Sequence, residues 1–600
     1  MFYPKLEPQT QLRLFTETFG GYNHNLKIAS GEWYDEENLS SSSYPLFAQR
    51  ERRGVVGTLE NPQGMLAKDA LLYVDGAQLF YNGVPVPGIA LSTDADMCPK
   101  KLVSMGAYAV IFPDKVYVNT KDLTDSGPLD AAFSSIEDAA VTYRMCRVDG
   151  EDYDLTNAIV SPSQPGEPEN GDYWIDTSSE KHALKQYSST TALWTAIPTV
   201  YVKISCPGIG ASFAAYDGVA LSGCAGPGEN PKLAEQIAAL NAPNVVYQKG
   251  DDYIVVVGLV DQAYIQRAGS VTVRRQSPAL DFVTECENRL WGCRYGMKDG
   301  KMVNEIYACK LGDFRNWNCF MGVSTDSYAA TVGTDGRFTG AITHLGYPLF
   351  FKENCLHKVH GSYPSNYQIQ TTACRGVQEG SEGSLAIAME TLFYKSREDV
   401  CAYDGSLPAS VSQQLGQAAY GSAVGGAYGA KYYISMRDEA GAWHLFVYDA
   451  ARAVWHREDA THALAFANVR GDFLYIDAGT GALVSVSGRG GTPEGDIPWS
   501  ATSGILGYEL PDAKYVSRFN IRAKLAAAAT LRLEIEYDSD GEWTFAGAYA
   551  GEGAARTFTI PVVPRRCDHL RLRLSGVGDA KIFSIARILE QGGDGYVAAF

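Results

Sequence analysis

Residues 289–317 read RLWGCRYGMKDGKMVNEIYACKLGDFRNW. Two short apolar runs, LWGCRYG and EIYACKL, carry β-branched and aromatic residues and flank the turn chemistry of MKDGKMVN. A polar corner then closes the segment on a tryptophan. A lone hairpin is marginally stable in water, so the weight of this one comes from its recurrence. Two weaker copies lie upstream: ALLYVDGAQLFYNGV at 70–84, turning at Asp75-Gly76, and GAYAVIFPDKVYVNT at 106–120, turning at Pro113-Asp114. Four lie downstream: GYPLFFKENCLHKVHG from 346, ETLFYKSREDVCAYDG from 390, KYYISMRDEAGAWHLFVYDAARAVWHR from 431 and GDFLYIDAGTGALVSVSG from 471. From the fourth copy to the seventh the starts are about 40 to 45 residues apart, the period of a four-stranded propeller blade. The expected fold is all-β, a β-propeller with additions.

Those additions come from the places where the rhythm breaks. The gap between the second and third copies holds an insertion, placed at residues 146–280. It begins with the loop PSQPGEPENGDYW and a small hairpin carrying Trp174, Tyr187 and Trp194, aromatics that either stack on sugars or pack on one another. A compact β-rich piece follows, with one short helix at PKLAEQIAALNA. Blades then occupy 53–145 and 281–499. Residues 500–600 alternate apolar and polar over several strands and suit a jelly-roll-like β-sandwich. In it Arg518, Arg522, Arg571 and Arg573 fall on outward positions, facing water or a partner's acids. Residues 1–52 read as an arm laid over the body or over a neighbouring subunit. The arm's one helical stretch is placed at residues 32–39, capped by Ser30, and its basic cluster Arg50, Arg52 and Arg53 is expected to meet an acidic neighbour rather than DNA.

Composition agrees with many short strands: the chain has 61 glycines and 36 tyrosines, with only 20% charged residues. The formal charge of −18 disfavours wrapping a nucleic-acid backbone, yet suits a passage along which a polyanion slides. The 12 cysteines show no Cys-x-x-Cys spacing. Cys293, Cys309, Cys355 and Cys401 sit in apolar runs and read as buried free thiols of a reducing compartment. MFYPKLEPQT lacks an apolar leader core, and no run approaches membrane-spanning length, so neither export by a cleaved leader nor membrane insertion is expected.

Catalytic signatures are sparse. His357 and His360, with Glu353 nearby, are the best metal-like group, but strand residues alternate faces and the helical geometry of a His-Glu zinc motif is missing. Asp251-Asp252 and Asp281 with Glu285 are acidic positions of the kind a glycosidase uses. No catalytic, cofactor-binding or metal-ligating residue is assigned, and the chain is expected not to be an enzyme.

The order of motifs does resemble a family. The stretch GGYNHNLKIASGEWYDEENLSSSSYPLFAQRERRGV, then ENRLWGCRYG with NEIYACKLGDFRNW, then WHLFVYDAARAVWHRED, then DHLRLRLSGVGDAKIFSIARI resembles bacteriophage tail β-propeller proteins. Within that group it is similar to the tail nozzle and packaged-DNA stabilisation proteins of short-tailed phages. The resemblance implies a structural virion protein, assembled in the host cytoplasm, that forms a homo-oligomeric ring, six copies in that group. It also implies contacts with a tail adaptor and with tail fibres or spikes, and genomic DNA passing without specific binding. Two alternatives stay open: a receptor-binding or fibre-adaptor tail protein, and a β-propeller glycosidase.

Overall fold

The computed structural model describes residues 11–298, 300–509 and 514–591. The stretch read for a leader, 1–10, and one turn residue of the opening hairpin, 299, lie outside the described residues. The chain forms a seven-bladed β-propeller, a β-rich insertion and a β-sandwich.

Each of the seven recurring hairpins is the middle of a blade. Blades one to six are four antiparallel strands in chain order, opening at Pro62–Ala67, Lys101–Met105, Phe282–Cys286, Gly340–His344, Ala386–Ala388 and Tyr420–Tyr428. Blade seven takes Ala463–Val469, Asp472–Asp477 and Ala482–Ser485, and its fourth strand is Gly54–Thr58, from the start of the chain. The propeller is thus closed by its own N-terminal segment.

Strand periodicity explains the ring. Successive side chains on the second strand of a blade point to opposite faces, so each blade feeds two seams. In blade six, Tyr432, Ile434 and Met436 pack toward blade five, whereas Tyr433 packs toward Phe473 of blade seven. In blade four, Leu349 and Phe351 meet Leu392 and Tyr394 of blade five, while Phe350 faces Trp291 and Ile306 of blade three. In blade two, Ala109 and Ile111 meet Leu72 and Val74, while Val110 and Phe112 meet Leu290 and Trp317. Leu474, Ile476 and Leu483 join Leu59 and Met65, which completes the circle between blades seven and one.

The sandwich is built from both ends of the chain. One sheet runs Gln11–Thr16, Ala580–Gln591, Lys514–Leu525, Ala555–Pro561, with Phe47–Ala48 also on Ala580–Gln591. The other runs Gly21–Tyr22, Glu32–Glu37, Pro498–Ser503, Leu570–Val577, Thr530–Tyr537, Trp543–Ala550. Phe19, Trp33 and Phe47 enter the same core as Trp499, Phe519, Leu531 and Leu574. The N-terminal arm is therefore not draped on the surface. The expected helix at residues 32–39 is the strand Glu32–Glu37, because the edge Pro498–Ser503 takes its backbone hydrogen bonds. Asn38 then turns the chain in the left-handed region, at φ 57°. Ser30 caps nothing; its hydroxyl bonds Thr16 Oγ1 at 3.0 Å.

The insertion starts earlier than 146. Ala131–Ser134 and Val141–Cys146 pair with Thr272–Arg275 and Tyr201–Ser205 rather than with a blade. VTYRMC has the alternation of a blade strand, so only its distant partner sets the boundary. Two sheets share one core around Tyr143, Val202, Ile254 and Val273. The expected helix forms at Pro231–Ala238: Asn230 accepts from Leu233 N at 3.1 Å, and Leu233 and Ile237, one turn apart, are buried.

Candidate functional site

First strands converge on a propeller's axis, so the loops entering them surround its mouth. At the entries to blades two to five these loops bound a groove of about 870 Å³. Aromatic side chains Phe112, Phe282, Tyr295 and Phe338 line it together with the acids Asp96, Asp281, Glu379 and Glu382. Three of the four acids are paired with a cation. Lys101 Nζ lies 2.6 Å from Glu382 and 5.1 Å from the centre of the Phe282 ring. Arg294 lies 2.7 Å from Asp281, which also accepts from Tyr295 N at 2.7 Å. Arg337 approaches Glu379 at 3.8 Å. One rim is the long hairpin of blade three, where Met297 and Met302 face each other across the strands and are both exposed.

Beneath the groove Lys352 is 2% exposed. Its ammonium donates to Asn304 Oδ1 at 3.0 Å and to Thr334 O at 2.7 Å, and lies between Phe338 (4.7 Å) and Tyr295 (5.3 Å). Burial lowers its pKa. Lys395 holds the matching last position of the second strand in blade five; burial draws it down to about 8 although Asp399 opposes the shift. Neither lysine stood out in sequence. The repeated signal is a lysine ending an otherwise apolar second strand, FFK and FYK.

The histidines and acids singled out in sequence do not assemble. His357 is fully buried between Thr334 Oγ1 and Thr371 Oγ1, each at 2.9 Å. Burial, with Lys352 adding to it, pushes its pKa down to about 4. His360 sits three residues along the strand, bonded to Gln370 and against Tyr347, and Glu353 accepts from Glu379 N at 3.2 Å. Among the described residues no three His, Cys, Asp or Glu side chains cluster as metal ligands. Asp281 immediately precedes the strand Phe282–Cys286 and Glu285 lies within it, four residues on and about 13 Å away by strand rise, beyond the separation of a glycosidase pair. Only Asp281 reaches the groove; Glu285 accepts from Asn288 N in a turn. Asp251 and Asp252 lie in a turn of the insertion, where Asp252 accepts from Gly208 N.

The aromatics of the insertion pack on one another. Trp174 is buried, donates to Ser161 O, lies under Lys185 and meets Trp194 edge-on at 5.6 Å. Tyr187 is 5.4 Å from Trp194. Of the sandwich arginines, Arg518 and Arg522 face outward, while Arg571 pairs with Glu536 at 3.2 Å and Arg573 stacks on Trp543 at 3.9 Å. The basic cluster meets acids of its own chain: Arg50 with Glu494 (2.7 Å), Arg52 with Asp496 (2.6 Å), Arg53 with Glu458 (2.6 Å). The polar LGDFRNW corner that closes the opening hairpin is the seat of the insertion. Asn316 is fully buried, donates to Tyr216 O at 2.7 Å and accepts from Gly218 N at 2.9 Å. Gly218 lies so close that a Cβ there would sit 2.3 Å from Asn318 C. All 12 cysteines are free thiols, and no helix among the described residues is long and apolar enough to cross a membrane.

No protein-family model and no curated protein matches the chain. Among solved structures it is similar to a glycoside hydrolase, at 9% identity over 50% of this chain and 96% of that one, TM-score 0.19. It is also similar to a family 43 arabinoxylan arabinofuranohydrolase from Bacillus subtilis, at 8% identity over 51% and 94%, TM-score 0.18. A sialidase of Trypanosoma rangeli matches at 9% identity over 98% and 96%, TM-score 0.16. The expectation of a non-enzyme is corrected to this extent: the similar solved structures include glycoside hydrolases. At such scores no activity carries over from them.

Proposed function

We propose that the chain is a structural subunit of a bacteriophage tail, of the nozzle type, standing with other copies in a ring that continues the DNA channel. The observation that carries this reading is the threading of the N-terminal segment through both bodies. Residues 11–48 give strands to the sandwich, and Gly54–Thr58 closes the propeller. One continuous segment thus contributes strands to both bodies, a property suited to a part through which a polymer is driven. The charge of −18 fits passage of DNA without capture. Six copies, an adaptor above, fibres or spikes beside, and residence in the virion after cytoplasmic assembly belong to the same proposal. Electron microscopy of the purified chain and of the particle tests it. An axial ring in the tail is expected; a chain that stays monomeric and is missing from the tail axis overturns it.

A second reading is favoured by the groove itself, where Phe282, Tyr295 and Phe338 stand beside Asp281, Glu379 and Glu382. Aromatic faces next to carboxylates suit a saccharide chain, either bound as a receptor or cleaved. Glycan binding and reducing-sugar release on a polysaccharide panel distinguish the two. Asp281→Asn and Glu382→Gln should abolish either signal, and an unchanged signal removes the groove from consideration.

A further inference from the structure

A cavity of about 410 Å³ lies where the N-terminal segment crosses the seam between blades six and seven. Its wall carries the cations Arg50, Arg53, Lys431, Arg452 and Arg489, against the carboxylates Glu51, Asp449 and Glu458. Three of the cations are matched. Arg50 meets Glu494 at 2.7 Å, Arg53 meets Glu458 at 2.6 Å and Asp459 at 2.7 Å, and Arg452 meets Asp449 at 2.8 Å.

Lys431 and Arg489 differ. The Lys431 ammonium donates to two neutral oxygens, Ser40 Oγ at 3.0 Å and Ser42 Oγ at 2.9 Å. Arg489 donates to Gly471 O at 3.0 Å. Neither is within ion-pair distance of a carboxylate among the described residues. Ser487 adds a hydroxyl to the same wall. Arg53, 2% exposed, also lines the wall, its guanidinium held by Glu458 and Asp459. Lys431 is half-buried, with Glu458, Asp449 and Glu51 acting on it only from beyond ion-pair distance, and Arg489 is exposed at the rim. Cations beside hydroxyls are the donor set that an oxyanion satisfies. Glu51, exposed at the rim, is the group that opposes such a guest.

We propose that this cavity binds a small tetrahedral oxyanion, phosphate or sulfate, with Lys431 and Arg489 as its principal cations and Ser40, Ser42 and Ser487 as hydrogen-bond partners. The guest would tie the N-terminal segment to blades six and seven beside the strand that closes the propeller, and so act on closure itself.

Isothermal titration of the full chain with inorganic phosphate, sulfate and acetate at matched ionic strength tests this. Saturable binding of phosphate or sulfate is expected, and acetate should bind at least about tenfold more weakly. Lys431→Met and Arg489→Met should each weaken phosphate by about tenfold or more, and Glu51→Gln should tighten it. Lys121→Met, which removes an exposed pair with Asp69, should leave it unchanged. Should Lys431→Met fail to fold, Arg489→Met and Glu51→Gln carry the test from the rim. Non-saturable uptake, equal binding of acetate, or wild-type affinity in both rim variants overturns the proposal.

Discussion

The propeller and the sandwich solve the same packing problem by opposite routes. In the propeller each strand pairs with its neighbour in sequence, and the seams repeat one rule of alternating side chains. In the sandwich most pairs are remote: Leu14 lies opposite Arg587, Phe47 opposite Ile582, and Trp33 opposite Ser503. Local pairing writes a period into the sequence; remote pairing writes only alternation, which names no partner. The segment at 54–58 belongs to both regimes, since it has the pattern of an ordinary strand and the role of a clasp.

The contrast can be broken most severely by removing residues 1–53. That deletion takes four strands from the sandwich sheets and the ion-paired arginines from the junction. Loss of cooperative unfolding, with aggregation, is the expected outcome by calorimetry. Recovery of a soluble chain with wild-type melting would mean that the arm is an accessory.

A smaller effect separates the junction from the surface. Arg53 and Glu458 form a buried pair with side chains 3% and 5% exposed. Arg53→Met leaves Glu458 buried and uncompensated, a cost of about 3–5 kcal/mol in urea denaturation. Arg556→Met breaks a pair on the sandwich surface, 40% and 73% exposed, and should cost under about 1 kcal/mol. Equal costs would erase the distinction.

The smallest expected effect lies inside a single blade. The pKa of His357 falls from 6.5 to about 4 on folding, so the unfolded chain takes up the proton first. Its contribution to stability is therefore complete above pH 6.5 and drains as the pH falls toward 4. Melting temperature against pH should fall less steeply over that window in His357→Gln than in the wild type. Parallel curves would show that the imidazole is not held neutral.

How much of this was legible follows from the same contrast. The hairpins at 70–84 through 471–488 could be read because Asp75-Gly76 and similar turns sit between alternating apolar runs. The helix at Pro231–Ala238 was legible from Asn230, Pro231 and the Leu233/Ile237 spacing. Residues 32–39 were misread because EWYDEE has weak strand character alone, and a remote edge decides its state. VTYRMC at 141–146 went to the wrong body for that reason too. The groove was half visible. Asp281 was singled out, but Lys101 and Glu382 come from blades two and five and meet only through the ring. Asn316 looked like a turn residue because its partners, Tyr216 and Gly218, lie across the insertion.

The central claim is that one N-terminal segment locks two bodies together, and hydrogen exchange read by mass spectrometry addresses it directly. The amides of Gln11–Thr16, Glu32–Glu37 and Gly54–Thr58 should be protected as strongly as those of Pro498–Ser503 and Ala580–Gln591, and should open with them in one cooperative step. Fast exchange throughout residues 11–58, with protection kept in the rest of the sandwich and in blades one to six, would contradict it.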